Sequence, residues 1–387
     1  MKILLTGGGT GGHITPILAV AHELKSLNPN CKVIYVGERN SKFADLTQNS
    51  PVIDRAYAIY AGKFRRYHGE SWVRRLVDIK TNLLNLRDIV YVIVGFIQSW
   101  RLLGKLKPNV VFQKGGFVGV PIGLAAAARR TPIITHDSDA VPGLANRLVS
   151  HWARLHATAL PAEYYRYPAA KVEPIGVLVS EAYQPVTKTM QTDYKTQLGL
   201  SPDAPLVVIT GGSSGAARIN TAIVAMIDQI MDINPTLHVI HQAGIGKMVV
   251  YGDYGHPRLE VIEFMKPMHR YSGAADVIVT RAGATHLAEF GVQGKACIVI
   301  PNPELTGGHQ LKNAERLKGQ GAAIIVDEEQ LHDPENGLIA AIKKILNDES
   351  LKINLGQALQ KITPYDASKR LAKILLEQKS HETISQK

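Results

Sequence analysis

The chain has 387 residues, with 44 Lys and Arg against 33 Asp and Glu, so its formal net charge is +11. A hydrophobic share of 45% and a mean hydropathy of −0.02 exclude wholesale disorder and a polytopic membrane protein. At roughly 150 residues per domain the length predicts about two domains. Two cysteines, Cys31 and Cys297, cannot build a disulfide framework or a cysteine zinc site, which favours a reducing cytoplasm.

The first elements are typical of the opening of a doubly wound sheet. A short apolar strand at 2–5 runs into a glycine-rich loop at 6–13, followed by a helix at 14–27 and a second strand at 32–36. Such a loop lets backbone N–H groups approach a phosphate. Gly7, Gly9 and Gly12 also fit G-x-G-x-x-G, and Glu38 ends the second strand, so an NAD-type oxidoreductase stays open as an alternative.

The positive charge is concentrated in residues 63–107. Ten Lys and Arg oppose three acids there, a net +7 in one segment. Apolar residues recur in steps of four and three from Trp72 to Trp100, which predicts one long amphipathic helix or two broken near Gly95. The apolar stripe either packs into the core or contacts an anionic membrane surface. No nucleic-acid recognition motif accompanies the charge, so we expect no nucleic-acid partner.

The pattern restarts after a Tyr- and Pro-rich connection at 161–185. A strand at 206–210, a glycine loop at 211–215 and a helix at 216–231 repeat the opening of the chain. Further strands are predicted at 237–241, 259–264, 277–280, 297–300 and 322–326. We therefore expect an α/β fold of two Rossmann-like parallel-sheet domains facing across a cleft, 1–165 and 166–366. The helix and tail at 367–387 are expected to pack back on the first domain.

Five blocks along the chain resemble, in order, the motifs of the MurG family of bacterial N-acetylglucosaminyltransferases. They lie at 7–24 (GGGTGGHITPILAVAHEL), 115–121 (GGFVGVP), 136–147 (HDSDAVPG with Asn146 and Arg147), 211–220 (GGSSGA with Asn220) and 281–314 (RAGAT, Glu289, HQ and NA). The basic, leucine-rich segment also falls where this peripheral-membrane family carries its bilayer patch.

The resemblance implies a two-domain glycosyltransferase fold of the GT-B type. It implies inverting transfer of N-acetylglucosamine from UDP-N-acetylglucosamine to the 4-hydroxyl of an undecaprenyl-diphosphate-linked muramyl-pentapeptide, in peptidoglycan synthesis. The expected location is the cytoplasmic face of the cell membrane, as a peripheral protein. No metal and no cofactor are expected: the D-x-D of Asp137 and Asp139 lies in a motif of a fold that works without metal.

The resemblance also implies roles for individual residues. His13, directly after the first glycine loop, is the candidate base, since an unperturbed imidazole pKa of about 6.5 suits proton pick-up at cytoplasmic pH. It would sit beside loop amides able to hold an acceptor phosphate. The residues expected to bind the donor are Thr10, Gly11, Gly12, Ser213, Met265, Ala284, Thr285, His286, Leu287, Ala288, Glu289 and Gln310. Those expected on the acceptor side are His136, Asp137 and Asp139.

Several positions depart from the family motifs. Asp137, Ser138 and Asp139 stand where the family has Glu, Gln and Asn, and Ser180 stands where it has an arginine that would reach the donor phosphates. These departures keep alternatives open: a GT-B enzyme with a different lipid-linked acceptor, a UDP-sugar epimerase, or a catalytically impaired UDP-sugar-binding relative.

Overall fold

The computed structural model describes residues 1–9, 11–41, 44–64, 78–212, 215–252, 254–304 and 308–378. The chain divides into two compact units. The first comprises Met1–Ser180 with the segment from Asp366 onward, and the second comprises Glu181–Tyr365. The division lies at residue 180 rather than at the predicted 165, because the last strand of the first sheet and the buried Ile175 and Leu178 after it belong to the first unit.

The first unit contains a seven-stranded parallel sheet with the order β3-β2-β1-β4-β5-β6-β7. Its strands are β1 (Lys2–Gly7), β2 (Lys32–Glu38), β3 (Arg55–Ile59), β4 (Val110–Gly115), β5 (Ile133–Asp137), β6 (Leu155–Thr158) and β7 (Val172–Pro174). Its helices are α1 (Gly11–Leu27), α2 (Ala44–Gln48), α3 (Ile79–Leu106), α4 (Gly119–Ala128) and α5 (Leu144–Val149). The central strands are apolar on both sides because helices cover both faces of the sheet.

The second unit repeats this design with a six-stranded parallel sheet of order β10-β9-β8-β11-β12-β13. Its strands are β8 (Leu206–Thr210), β9 (His238–Gln242), β10 (Leu259–Ile262), β11 (Val277–Thr280), β12 (Cys297–Val299) and β13 (Ile324–Ile325). Its helices are α6 (Lys188–Gln197), α7 (Ala217–Met231), α8 (Met268–Ala274), α9 (Ala284–Val292), α10 (His309–Gly319), α11 (Leu338–Asn347) and α12 (Glu349–Lys361). Every strand predicted in this half is found, two of them with the predicted bounds and the others with ends displaced by one or two residues.

The final helix of the described chain, α13 (Ala367–Leu376), belongs to the first unit. Leu371 and Leu375 are fully buried in the same core as Ile17 and Leu24 of α1. The Ser368 hydroxyl donates a hydrogen bond of 2.8 Å to the carbonyl of Val179, which fixes the point at which the chain returns.

The basic segment forms one unbroken helix, α3, in the part that the structure describes; residues 65–77, with Trp72 and four of the ten cations, lie outside it. The predicted break at Gly95 is absent. Gly95 instead permits close packing, because a Cβ there would lie 1.9 Å from the carbonyl oxygen of Tyr60. Asp78 caps the start of the helix by accepting a hydrogen bond from the amide of Thr81 at 3.0 Å.

The predicted apolar stripe of α3 faces outward, so the interpretation that it packs into the core is wrong. The exposed apolar side chains of the helix are Ile79, Leu83, Leu86, Ile89, Val90, Ile93, Ile97 and Trp100. The opposite face is buried through Asp88, Ser99 and Leu103. Each exposed aliphatic side chain forgoes about 1.5–3 kcal/mol of burial, and a contiguous patch of this kind marks an interaction surface.

Candidate active site

The predicted site residues cluster at the carboxyl ends of the two parallel sheets, where doubly wound folds bind their ligands. We call the cluster of the first unit, formed by residues 7–9, 11–13, 114–119 and 136–146, the first edge. The cluster of the second unit, formed by residues 211–212, 215–216, 242–247, 263–265, 283–289 and 310, is the second edge. Thr10 and Ser213, both predicted to bind the donor, lie outside the described residues.

Two glycine segments pack directly on each other at the first edge. Gly116 has a φ of +80°, and a Cβ on it would lie 2.2 Å from the carbonyl oxygen of Gly8. Only glycine fits there, because an added methyl group would meet backbone that cannot move aside. Glu38 accepts a hydrogen bond from the Gly9 amide. Its carboxylate therefore supports the loop, which weakens its alternative role as the ribose-binding acid of a dinucleotide site.

His13 lies in the first turn of α1, partly buried beside the second of these glycine segments. A Cβ on Gly115 would lie 3.6 Å from His13 Nε2 and 3.8 Å from Asn146 Nδ2. Burial, and secondarily the positive charge of Lys114, lower the pKa of His13 to about 3. The imidazole is therefore neutral at pH 7 and keeps a lone pair, but it is a weaker base than the predicted value of about 6.5 implies.

The acceptor-side residues form a buried network. Asp137 Oδ1 accepts hydrogen bonds from the Gly143 amide at 2.9 Å and from Asn146 Nδ2 at 3.0 Å, and Oδ2 accepts one from the Tyr167 hydroxyl at 2.9 Å. Three donors thus engage this carboxylate, and we infer that it shapes the loop before α5. His136 is fully buried, with Nε2 2.9 Å from the carbonyl of Gly176.

Lys114 is a charged residue of the first edge that was not predicted as a site residue. It lies near the end of β4, its side chain is only 5% exposed, and its charge acts on Asp137 and Asp139 as well as on His13. Burial lowers its pKa from the ordinary value. The sequence signal was a polar pair, Gln113 and Lys114, directly after three apolar strand residues, a pattern more typical of an exposed strand end.

A second glycine, Gly215, anchors the loop at the second edge. Its φ is +64°, and a Cβ on it would lie 2.0 Å from the carbonyl oxygen of Ala243. Gln242, buried and not predicted as a site residue, connects this region. Its Nε2 donates to the carbonyl of Gly212 at 2.9 Å, and its Oε1 accepts from the amide of Met265 at 2.8 Å. One amide side chain thus joins the glycine loop to Met265. The bond to Met265 is made by its backbone amide and does not involve its carbonyl oxygen.

Glu289 is the ionisable centre of the second edge. It lies on α9, 7% exposed, and burial raises its pKa to about 8 although the Tyr183 hydroxyl donates a hydrogen bond to it. His286, one turn earlier, has its Nε2 4.0 Å from Glu289 Oε2, and its ring lies beside Gly212. Arg281 does not pair with Glu289; its guanidinium bonds Glu328. Tyr183 was missed because it lies in the segment interpreted as a linker.

The remaining predicted donor residues line the start of α9 and α10. Ala284 and Thr285 are half-buried in the first turn of α9, which begins after Gly283, whereas Leu287 and Ala288 point into the core. Gln310 Oε1 accepts a hydrogen bond from the Asn302 amide at 2.9 Å. Gln310 was predicted to contact a sugar through both ends of its amide. With the oxygen engaged by the backbone, its NH₂ group is the end left for that contact.

Gly12 and Gly11 lie at the start of α1, one and two residues before His13. Among the described residues, no group of three or more His, Cys, Asp or Glu side chains could hold a metal ion. The absence of a metal requirement stays a prediction.

Comparison with known proteins identifies both units and the chain as a whole. Residues 3–158 match the glycosyltransferase family 28 N-terminal domain, and residues 206–371 match the glycosyltransferase family 28 C-terminal domain. The chain is 30% identical over 384 residues to the UDP-N-acetylglucosamine–N-acetylmuramyl-(pentapeptide) pyrophosphoryl-undecaprenol N-acetylglucosamine transferase of Natranaerobius thermophilus, covering 97% of this chain and 99% of the relative. The enzyme of the same name from Lachnospira eligens is 31% identical, over 90% and 91% of the two chains.

Solved structures share the same architecture. The crystal structure of Acinetobacter baumannii MurG superposes with a TM-score of 0.68 at 22% identity, covering 97% of this chain and 99% of that one. A UDP-GlcNAc 2-epimerase from Neisseria meningitidis bound to UDP-GlcNAc gives 0.65 at 15% identity, over 97% and 100%. These likenesses confirm the GT-B fold, and the fold is common to transferases and epimerases. The sequence relatives discriminate between the two: the chain belongs to the MurG family of N-acetylglucosamine transferases, within glycosyltransferase family 28.

Proposed function

We propose that the chain transfers N-acetylglucosamine from UDP-N-acetylglucosamine to the 4-hydroxyl of a lipid-linked muramyl-pentapeptide, with inversion at the anomeric carbon. The observation that carries the proposal is the chemical division between the two edges. A neutral histidine lies beside packed glycine segments at the first edge, and a buried carboxyl lies beside helix-start amides at the second.

The second edge supplies groups suited to a uridine diphosphate sugar. Glu289 can accept hydrogen bonds from two ribose hydroxyls, and those bonds would favour its ionised form. The carbonyl oxygen of Met265 suits an N–H of the base, and the Gln310 NH₂ group suits a sugar hydroxyl. The amides at the start of α9, near Ala284 and Thr285, would stabilise the diphosphate as it departs.

At the first edge His13 is the proposed base. In an inverting transfer the acceptor oxygen attacks the anomeric carbon while its proton passes to the imidazole and the bond to UDP breaks. Because His13 is neutral at pH 7, it holds the lone pair that this step needs. Removing such a base costs about 10²–10⁴-fold in rate.

The proposed reaction needs no metal. Asp137, the buried carboxylate of the D-x-D sequence, has its two oxygens engaged by the Gly143 amide, Asn146 and Tyr167, which leaves it a poor metal ligand. Charge on the leaving diphosphate would instead be stabilised by backbone amides.

The exposed stripe of α3 is the proposed membrane contact, at the cytoplasmic face of the bilayer. Residues 81–106 are long and apolar enough to cross a membrane by length and composition alone. A peripheral position fits better, because the other face of the helix buries Asp88 and Ser99 and packs Gly95 under Tyr60. Exposed Arg101, Lys105 and Lys107 at its end suit anionic headgroups. A soluble UDP-sugar epimerase has no need of such a surface.

The test is a transfer assay with radiolabelled UDP-N-acetylglucosamine and a short-chain lipid-linked muramyl-pentapeptide. We expect a labelled disaccharide-linked lipid, and no conversion of UDP-N-acetylglucosamine to its 2-epimer when the acceptor is left out. Epimerisation without transfer would establish the rival activity. UDP binding with neither reaction would indicate a relative that has lost catalysis or uses another acceptor.

A further inference from the structure

Lys114 lies at an irregularity in the sheet next to the proposed base. Thr6 of β1 pairs with Gln113 of β4, but the following Gly7 pairs with Gly115, so Lys114 is an extra residue in the β4 strand. Bulges of this kind redirect a side chain and are frequent beside active sites. A Cβ on Gly7 would lie 3.2 Å from the Lys114 Cβ, which fixes the lysine against the first glycine segment.

The Lys114 ammonium has no hydrogen-bond or ion-pair partner in the part of the chain that the structure describes. The side chain is 95% buried, and no described residue accepts a hydrogen bond from it or forms an ion pair with it. Asp137 and Asp139 act on it only through space, and Asp137 is engaged by other donors. A buried ammonium without a partner is costly. A buried lysine at the edge of a ligand-binding sheet is suited to bind an anion.

We propose that Lys114 binds a phosphate group of the acceptor's diphosphate and thereby positions the acceptor against His13. This inference rests on the proposed function. The neighbourhood favours a phosphate because Gly8 and Gly116 carry no side chains of their own, so an anion can approach their backbone closely. Asp137 and Asp139 repel an anion, and Lys114 supplies the opposing charge.

Binding at Lys114 would also change the chemistry of His13. The charged or titratable groups that face Lys114 are His13 on α1, His136 and Asp137 on β5, and Asp139 after β5. The lysine charge disfavours protonation of His13. A phosphate that neutralises this charge makes His13 a stronger base, so the acceptor itself would activate the group that removes its proton.

The test uses the intact chain, ¹³C-labelled at histidine Cε1, saturated with UDP so that the donor site is filled. Inorganic pyrophosphate is titrated while the His13 signal, assigned with His13→Ala, is followed by NMR. We expect a saturable shift of this signal, with the affinity weakened about 10- to 100-fold in Lys114→Met and largely retained in Lys114→Arg. Lys369→Met, an exposed lysine of the first unit, is the matched control and should match the wild type.

Transfer kinetics on the same variants separate this proposal from the function on which it rests. Lys114→Met should raise the KM for the acceptor at least tenfold while the KM for UDP-N-acetylglucosamine changes less than twofold. The acid limb of its kcat/KM profile should move to higher pH, because His13 protonates more readily without the lysine charge. The role of Lys114 would be overturned if Lys114→Met transferred sugar at the wild-type rate, with the wild-type KM for the acceptor and the wild-type response to pyrophosphate.

A response to pyrophosphate that depends on Lys114, in a protein that shows no transfer, would overturn the proposed acceptor and retain the anion site. If Lys114→Met does not fold, the wild-type titration decides: a His13 signal unmoved by pyrophosphate overturns the proposal.

Discussion

The two sheet edges are built on the same plan but carry different chemistry. Each edge has a close backbone contact that is possible only because one partner is a glycine without a Cβ: Gly116 packs on Gly8, and Gly215 packs on Ala243. The first edge then gathers buried ionisable groups, including His13, Lys114 and Asp137. The second relies on amides and backbone, with Glu289 as its buried acid. One Rossmann-like frame can thus be equipped for proton transfer or for recognition by the residues that lie at the ends of its strands.

A second contrast separates two amphipathic helices. The apolar side of α11 in the second unit buries Leu338, Ile342 and Ile345, whereas the apolar stripe of α3 in the first unit is exposed. The same periodicity therefore gives a core helix in one unit and an interaction surface in the other. The first unit combines the proposed base with the proposed membrane contact.

Adding a Cβ at the two closely packed glycines should have the largest effect on stability. Gly116→Ala and Gly215→Ala should each destabilise the chain by about 2–4 kcal/mol, because the new methyl group meets a carbonyl and the backbone has a positive φ. Urea unfolding measures the change. Gly319→Ala, where no atom lies within 4 Å of an added Cβ, is the control and should be neutral or slightly stabilising. If the edges work separately, Gly215→Ala weakens UDP binding and Gly116→Ala does not. Equal weakening by both would contradict a division of function between the edges.

The contrast between the helices predicts the next effect. Leu83→Glu combined with Ile93→Glu should lower binding to anionic phospholipid vesicles about 10- to 100-fold, since each change removes an exposed apolar side chain from the membrane contact. Co-sedimentation measures the binding. Thermal stability should not fall, because both side chains are already exposed. Ile353→Glu with Tyr365→Glu, two exposed positions of the second unit, should leave binding unchanged. Normal vesicle binding by the Leu83 and Ile93 variant would remove α3 as the membrane contact.

The raised pKa of Glu289 predicts pH dependence at the second edge. In the folded protein this pKa is about 8, above the ordinary 4.5. The free energy of unfolding therefore falls as pH rises from 4.5 to about 8, and the whole loss is present above pH 8. Glu289→Gln should therefore be more stable than the wild type at pH 9, on the order of a few kcal/mol, and similar near pH 4. Denaturation at the two pH values measures this difference.

The same variant should bind UDP about tenfold more weakly. Wild-type affinity should rise between pH 7 and 9 as the carboxyl ionises, and the profile of Glu289→Gln should be flat. Calorimetry at several pH values measures both. An identical pH profile for the two proteins would exclude Glu289 as the group that binds the ribose.

The smallest effect concerns Tyr183. Its hydroxyl donates to Glu289 and favours the ionised carboxylate, so Tyr183→Phe should raise the pKa of Glu289 further and weaken UDP binding a few-fold at pH 7. The loss should shrink at pH 9, where the carboxylate is ionised in either protein. Calorimetry at both pH values distinguishes this cause from a lost direct contact, which would give the same deficit at each pH.

Much of the fold and part of the site could be predicted from the sequence. The strands flanking the glycine loops combine short apolar runs with a turn that needs glycine, so β1, β2 and β8 were located correctly. The strands β3 to β7 were not assigned, because their apolar runs are separated by the long basic segment and a Tyr- and Pro-rich stretch. Periodicity identified α3 as amphipathic but could not tell which face is buried, since that depends on packing against α4 and the backbone at Tyr60.

The site residues that were missed act through tertiary contacts. Gln242 connects Gly212 with Met265, residues far apart in sequence, and Tyr183 reaches Glu289 from the segment interpreted as a linker. The position of the Lys114 side chain depends on a shift of register between β1 and β4, which no local sequence pattern predicts. Motifs locate the loops, whereas the electrostatic surroundings of each side chain depend on folding.

Sugar transfer and UDP binding, measured on one preparation of His13→Ala, give the sharpest test of the proposed division of chemistry between the edges. We predict that transfer to the lipid-linked acceptor falls at least about 100-fold, while the Kd for UDP stays within twofold of the wild type. Undiminished transfer by His13→Ala, or a loss of UDP binding equal to the loss of transfer, would contradict it.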